Sequence, residues 1–242
     1  KWTVTYLKTL EEKNAPEDQL EEICKKYWNN SGVRRYYIDR YFEKKEYDRV
    51  LQVLDESIEL DKAYRGQVLE YNQKKKEIYR LQGNKSAYIE QLWKLVLEQS
   101  AGDLDIYKEL KAQYSEKEWL IKREELFKKL SANAHIDRLY KEEKLYDRLL
   151  AYVLKSSGLY AVQSYENVLK KEYPKQILSK YQGEVNKMAS CTGNRKHYAD
   201  LVALLRRMKR IKGGSEIVET IVEEWKIKYR NRPAMMDELS KL

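Results

Sequence analysis

IDRYFEKKEYDRVL, from Ile38 to Leu51, returns as IDRLYKEEKLYDRLL, from Ile136 to Leu150, with one residue inserted. Each run opens a stripe in which a tyrosine is followed by apolar residues at +3, +4 and +7. The first is Tyr47, Val50, Leu51 and Leu54, and the second is Tyr146, Leu149, Leu150 and Val153. Those offsets place side chains on one face of an α-helix, whereas a strand alternates every second residue. The stripe recurs at Tyr198, Leu201, Val202 and Leu205, and GNKSAYIEQL from Gly83 matches GNRKHYADLV from Gly193. Weak internal similarity between amphipathic helices is the mark of a helical repeat.

The same periodicity runs to both ends of the chain. It predicts helices at roughly 3–13, 16–29, 33–44, 46–60, 64–81, 85–99, 104–113, 116–131, 134–143, 145–156, 159–171, 174–190, 195–209, 215–230 and 233–241. Pro16, Pro174 and Pro233 each fit a helix start, where a missing N–H is harmless. Seven of the nine glycines fall between periodic segments, as helix stops do. Gly66 and Gly183 fall inside them, and close helix crossings are the expected reason. Ser115 and Glu118 form a capping box, and Asp103 can cap the next helix. Paired off, these helices repeat about every 32–34 residues, near the tetratricopeptide period. The expected fold is all-α: an α-α superhelix, or solenoid, of about seven antiparallel helix pairs. It forms one extended domain over 1–242, with 215–242 as terminal capping helices. The last helix is expected to pack on 215–230, and Tyr47 and Tyr146 to be largely buried.

Composition agrees with thin stacked layers. Hydrophobic residues make up 42% and charged residues 36%, enough for one buried stripe and one solvated face per helix. Twenty-one tyrosines stand against two phenylalanines. A tyrosine can fill a helix contact with its ring and keep its hydroxyl at a wet edge. Two widely separated cysteines, Cys24 and Cys191, exclude a disulfide framework and point to a reducing, cytoplasmic location. No run is long and apolar enough for a membrane span. The chain opens at Lys1 without an initiator Met, which suggests a segment of a longer protein.

Residues suited to chemistry are few. His135 and His197 are the only histidines, and no phosphate-loop, dinucleotide or nucleophile-elbow motif occurs. Two cysteines and two histidines far apart do not make a zinc ligand set. No catalytic, cofactor-binding or metal residue is assigned, and the chain reads as a non-enzyme without a cofactor. The sharpest polar feature is charge. Twelve basic and three acidic residues between Leu169 and Lys212 account for the whole net charge of +9. Within the basic stretch 195–212, Arg206, Arg207, Lys209, Arg210 and Lys212 crowd into seven positions at a predicted helix C-terminus. Cations there suit the helix dipole, and they could also contact phosphates weakly.

Three further segments carry a resemblance. They are LKAQYSEKEWLIKREELFKKL from Leu110, the LYDRLLAYVL helix, and the ending WKIKYRNRPAMMDELSKL, in which Tyr229–Ala234 is the most specific piece. With these the chain resembles the C-terminal helical region of bacterial SWIM zinc-finger proteins. In that family a C-x-C…C-x-H finger precedes the helical region. This chain has no such pattern, so zinc carries over to none of its residues. The resemblance implies an intracellular scaffold appended to a finger, with another protein as its partner. The alternative is a nucleic-acid-associated solenoid that uses the stretch 195–212.

Overall fold

Fifteen α-helices follow one another in the computed structural model, which describes residues 2–242; no strand occurs among the described residues. They are α1 (Trp2–Glu12), α2 (Glu17–Lys26), α3 (Ser31–Glu43), α4 (Tyr47–Leu60), α5 (Arg65–Leu81), α6 (Lys85–Lys94), α7 (Leu104–Lys111) and α8 (Glu116–Lys129). Then come α9 (Ile136–Glu142), α10 (Tyr146–Lys155), α11 (Tyr160–Leu169), α12 (Pro174–Ser190), α13 (Arg195–Lys209), α14 (Gly214–Lys228) and α15 (Pro233–Leu239). The predicted helix 85–99 ends differently from expectation. After α6 the chain widens into a π-helical turn, Leu95–Gln99, closed by the Ser100 N–H on the Leu95 carbonyl at 2.8 Å.

Four odd-to-even turns share one geometry. Asn14, Lys45, Gly83 and Lys144 take φ values of 56°, 61°, 68° and 54°. In each, the next residue donates its N–H to a carbonyl five positions back: Ala15 to Leu10, Glu46 to Tyr41, Asn84 to Tyr79 and Leu145 to Tyr140. This is the Schellman arrangement, which satisfies carbonyls orphaned at a helix end. The repeated segments around Lys45 and Lys144 therefore match in backbone as well as in sequence. Glycine would relieve the left-handed φ, yet two of the four positions hold lysine.

Other sequence signals land where expected. Ser115 and Glu118 close a capping box, the Asp103 carboxylate accepts from the Asp105 and Ile106 N–H groups at 3.0 Å, and Pro174 and Pro233 open their helices. Pro16 sits one position earlier, as the cap of α2. Gly66 and Gly183 correct an expectation: a Cβ at either would meet nothing within 4 Å, so neither marks a close crossing. Gly102 instead marks a close approach of two loops, since its Cβ would lie 2.7 Å from the His135 nitrogen. Tyr198 is buried, and Tyr47 and Tyr146, the two rings expected to be largely buried, keep an exposed edge while packing against the apolar clusters. Each opens its helix at the turn, where the ring covers the core edge while water keeps its outer side.

Backbone contacts divide the chain into two compact units, residues 1–139 and Tyr140–Leu242. Unit 1 holds two apolar clusters. One is built on α1 to α5 around Leu7, Val33, Leu54 and Ile78, and the other on the segments from α6 onward around Leu92, Tyr107 and Leu126. Unit 2 holds a single cluster that runs from Leu149 to Leu239.

Tyrosine supplies a second bond between helices. A carboxylate repeatedly receives both a tyrosine hydroxyl and a cation from other helices. Glu11 takes Tyr36 and Arg40, Glu21 takes Tyr41 and Arg49, and Glu109 takes Tyr88 and Lys76. Asp61 takes Tyr71 at 2.7 Å and Arg34 at 2.5 Å, with Arg34 fully buried. In unit 2, Glu166 takes Tyr181 at 2.7 Å and Arg207 at 2.5 Å. A phenylalanine could fill the same space but could not satisfy the carboxylate, which accounts for part of the tyrosine excess.

The end of unit 2 corrects one further expectation. Met235 and Leu239 are buried, but α15 packs on α13 rather than chiefly on α14. Polar bonds draw it there: Arg195 pairs with Asp237 at 2.8 Å and Glu238 at 3.4 Å, and Arg206 donates to the Lys241 carbonyl at 2.5 Å. The Tyr229–Ala234 block has a local job. Arg232 donates to the carbonyls of Ala189, Ser190 and Cys191 at the end of α12, and its guanidinium lies 4.4 Å from the Tyr229 ring centre. A cation over the last carbonyls of a helix replaces its missing N–H partners and suits its dipole.

Candidate functional site

The five cations Arg206 to Lys212 end α13 and cross into the turn before α14, and the structure splits them. Arg207 turns inward: besides the Glu166 carboxylate, it donates to the Gln163 carbonyl at 3.1 Å and lies 6.0 Å from the Tyr181 ring centre. Burial disfavours the Glu166 charge, but the hydrogen bonds from Tyr181 and Arg207 outweigh it and hold the carboxyl below its ordinary range. Arg206 is committed to the Lys241 carbonyl. Lys209, Arg210 and Lys212 carry no ion pair among the described residues, and Arg210 and Lys212 are exposed. A run of charge in sequence is thus partly a set of structural bonds.

The residues weighed for chemistry are buried or bonded to backbone rather than to one another. Cys24 is buried, and desolvation pushes its thiol up to about 11. Cys191 is exposed, with its thiol 3.8 Å from the Lys187 carbonyl, while His197 Nε2 lies 3.1 Å from the Met188 carbonyl. Among the described residues no three His, Cys, Asp or Glu side chains gather as a metal site. No helix is long and apolar enough to cross a membrane.

A groove in unit 1 escaped the sequence reading. It has a volume of about 860 Å³ and is walled by α1 and α3, with Lys74 reaching in from α5. Val4, Thr5 and Lys8 come from α1; Arg35, Asp39 and Glu43 come from α3. The spacing of the last three, four residues apart, puts them on one helical face. A smaller recess of about 160 Å³ continues between α3 and α5 and shares Arg35, Asp39 and Lys74. The groove therefore follows three successive odd-numbered helices. At its centre, partial desolvation pushes the Asp39 carboxyl above its ordinary value, against the pull of Lys74 and Arg35. Lys74 lies 3.4 Å from the Phe42 ring centre, and Arg35 meets Glu70 at 2.6 Å with both side chains half in solvent. Both signs of charge over an apolar wall suit a polypeptide, whose backbone donates and accepts along its length. The sequence signal was the charged face of α3, hidden by the tyrosines interleaved with it.

The chain matches no protein-family model, no curated protein and no solved structure.

Proposed function

We propose that this chain is a non-catalytic helical-repeat scaffold that binds another protein along the groove of unit 1. The observation that carries the reading is the continuity of that groove across α1, α3 and α5. Stacked helix pairs that bury their faces on one another leave such a surface along one side. The four matching turns after α1, α3, α5 and α9 support the finer reading of a tetratricopeptide-like solenoid.

On the likeness to the helical region of SWIM zinc-finger proteins, we read this scaffold as the companion of a finger in a cytoplasmic protein. That reading rests chiefly on the Tyr229–Ala234 block. Zinc would then belong to a finger outside these residues, and chelator should leave the melting temperature unchanged. A melting temperature that falls with chelator and returns with zinc defeats it.

The binding itself is tested by selecting peptides from a random display library against the full chain. Recovered peptides should compete with one another and lose at least about tenfold in affinity to the pair Lys8→Glu and Arg35→Glu, a loss of roughly 1.4 kcal/mol. A library that yields no binder, or binders indifferent to the pair, rejects the groove.

A further inference from the structure

We propose that one end of unit 2, made of the α11–α12 and α13–α14 turns, is a rim that binds the phosphate backbone of a nucleic acid duplex. Glu166 brings the two turns together. Its carboxylate receives Arg207 at 2.5 Å, just before one turn, and Lys170 at 3.6 Å, within the other. Gly214, at the start of α14, lies so near α12 that a Cβ there would be 3.3 Å from Leu178 Cδ2. The cations of 170–175 and of 209–212, forty residues apart in sequence, therefore share one edge.

That edge is strongly one-signed. Lys170, Lys171 and Lys175 come from the first turn; Lys209, Arg210 and Lys212 come from the second. Glu172 is the one acid within these two segments, and Glu216, in the first turn of α14, adds one more beside them, so cations outnumber acids six to two. Lys171, Lys175, Arg210 and Lys212 are exposed and carry no ion pair among the described residues. The neighbouring α9–α10 turn has Lys141 and Lys144 against Glu142 and Glu143, and so adds no net charge. Asp147 of α10 is occupied by the Tyr173 hydroxyl at 2.5 Å.

The rim's other residues select the partner. Protein interfaces depend on a few apolar or aromatic anchors, and single-strand binders stack bases on exposed rings. Here Ile211 is buried, and Tyr173 is half-buried with its hydroxyl spent on Asp147. What remains is charge without an anchor. Such a surface gains from counterion release on a polymer of closely spaced phosphates, in a sequence-independent way. The net positive charge of the unit favours the encounter over a longer range. This rim lies outside the groove of unit 1, and either binding can fail without the other.

The test uses the full chain and a fluorescein-labelled duplex of random sequence, titrated by anisotropy between 50 and 200 mM salt. With four unpaired cations, the logarithm of the affinity should fall against the logarithm of salt with a slope of about −3 to −4. Reversing Lys171, Lys175, Arg210 and Lys212 to Glu should weaken binding at low salt by at least about tenfold and flatten the slope. The milder pair Lys175→Glu and Lys212→Glu should do part of this, should the fourfold variant lose its helical circular dichroism. An equal reversal at the opposite helix ends, Lys155, Lys196, Lys226 and Lys228 to Glu, should leave most of the affinity, as should the groove pair Lys8→Glu and Arg35→Glu. If the opposite-end variant loses as much as the rim variant, only net charge matters and the rim is overturned. Polyglutamate that binds as tightly as duplex, and is lost with the same reversal, overturns the nucleic acid assignment in favour of an acidic protein.

Discussion

Unit 1 carries 27 basic residues against 26 acidic ones, whereas unit 2 carries 21 against 13 and so holds +8 of the net +9. The two units use charge differently. In unit 1 the cations are matched, and many are fixed across helices on a carboxylate that also holds a tyrosine hydroxyl. In unit 2 one such node, Glu166, sits in a continuous apolar core. Some of its surplus cations close helix ends, as Arg206 and Arg232 do, and the others stand free, both at the rim and at the opposite helix ends. The contrast teaches that a charge excess read along the chain has two destinies. Carbonyls at helix ends can absorb a cation without any acidic partner, so net charge overstates what is left for a ligand.

The node on Asp61 gives the largest test of that contrast. Arg34 is fully buried and donates to Asp61, to the Ser57 hydroxyl at 3.1 Å and to the Trp28 carbonyl at 2.6 Å. Asp61→Ala leaves that guanidinium without its counter-charge in the core, which costs about 3–5 kcal/mol. The same carboxylate also loses its bond to Tyr71. Urea unfolding followed by circular dichroism measures the loss. A loss below about 1 kcal/mol means that water reaches Arg34 and that the node is not structural. Replacing both partners with apolar residues should cost much less than the single change, because no charge is then stranded.

Glu166 is the counterpart in unit 2, and its loss should be smaller because Arg207 keeps about a third of its side chain in solvent. Glu166→Gln retains a hydrogen-bond acceptor for Tyr181 but removes the charge facing Arg207. About 1.5–3 kcal/mol is expected, toward the lower end for that exposure. The node also titrates. Its carboxyl lies below the ordinary value in the folded state, so the stabilisation is fully present above the unfolded value of about 4.3 and fades as pH falls through the folded one. Wild type and Glu166→Gln should therefore converge in stability on acidification. A gap that stays constant from pH 7 to pH 3 shows that the charge contributes nothing.

The helical class was legible because it rests on local pattern: the stripe at Leu201, Val202 and Leu205 is buried as its spacing requires. Caps were legible for the same reason, since Asp103 and Ser115 act within three residues of themselves. What depends on distant partners was not. Nothing near Arg207 in sequence announces Glu166, 41 positions earlier, and nothing near Arg232 announces the end of α12. The unit 1 groove needed three helices brought together, and its charged face on α3 is interrupted by buried tyrosines. The π-helical turn at Leu95 has no local signature at all.

Two glycines, one in each unit, differ in what surrounds them. Gly183 sits in the middle of α12 in unit 2 with open space around it and an ordinary helical φ. Gly183→Ala should stabilise by about 0.5–1 kcal/mol, because alanine loses less backbone freedom on entering a helix. Gly102 in unit 1 is the opposite case, with φ +81° and its Cβ position against the His135 backbone. Gly102→Ala should destabilise clearly, by about 1–3 kcal/mol, through strain and collision together. Thermal unfolding of the two variants should move in opposite directions. Two shifts of the same sign would mean that the His135 segment yields freely or that α12 needs its glycine.

The smallest effect tests whether the two units share a repeat at all. Lys45 in unit 1 and Lys144 in unit 2 hold the same left-handed position of the same turn. A Cβ in that conformation crowds the backbone by about 1–2 kcal/mol, which glycine removes. Glycine also gains freedom in the unfolded chain, which returns about 0.5–1 kcal/mol of that. The net expectation for Lys45→Gly, and separately for Lys144→Gly, is a stabilisation of about 0.5 kcal/mol. Both lysines are exposed and neither carries an ion pair among the described residues, so no lost contact offsets the gain. The informative quantity is the match between the two values in urea unfolding. Equal gains follow if the turns are one structural unit used twice. A gain at one position with a loss at the other means that the turns differ in strain or surroundings, and the correspondence between Ile38–Leu51 and Ile136–Leu150 would then stop at the letters of the sequence.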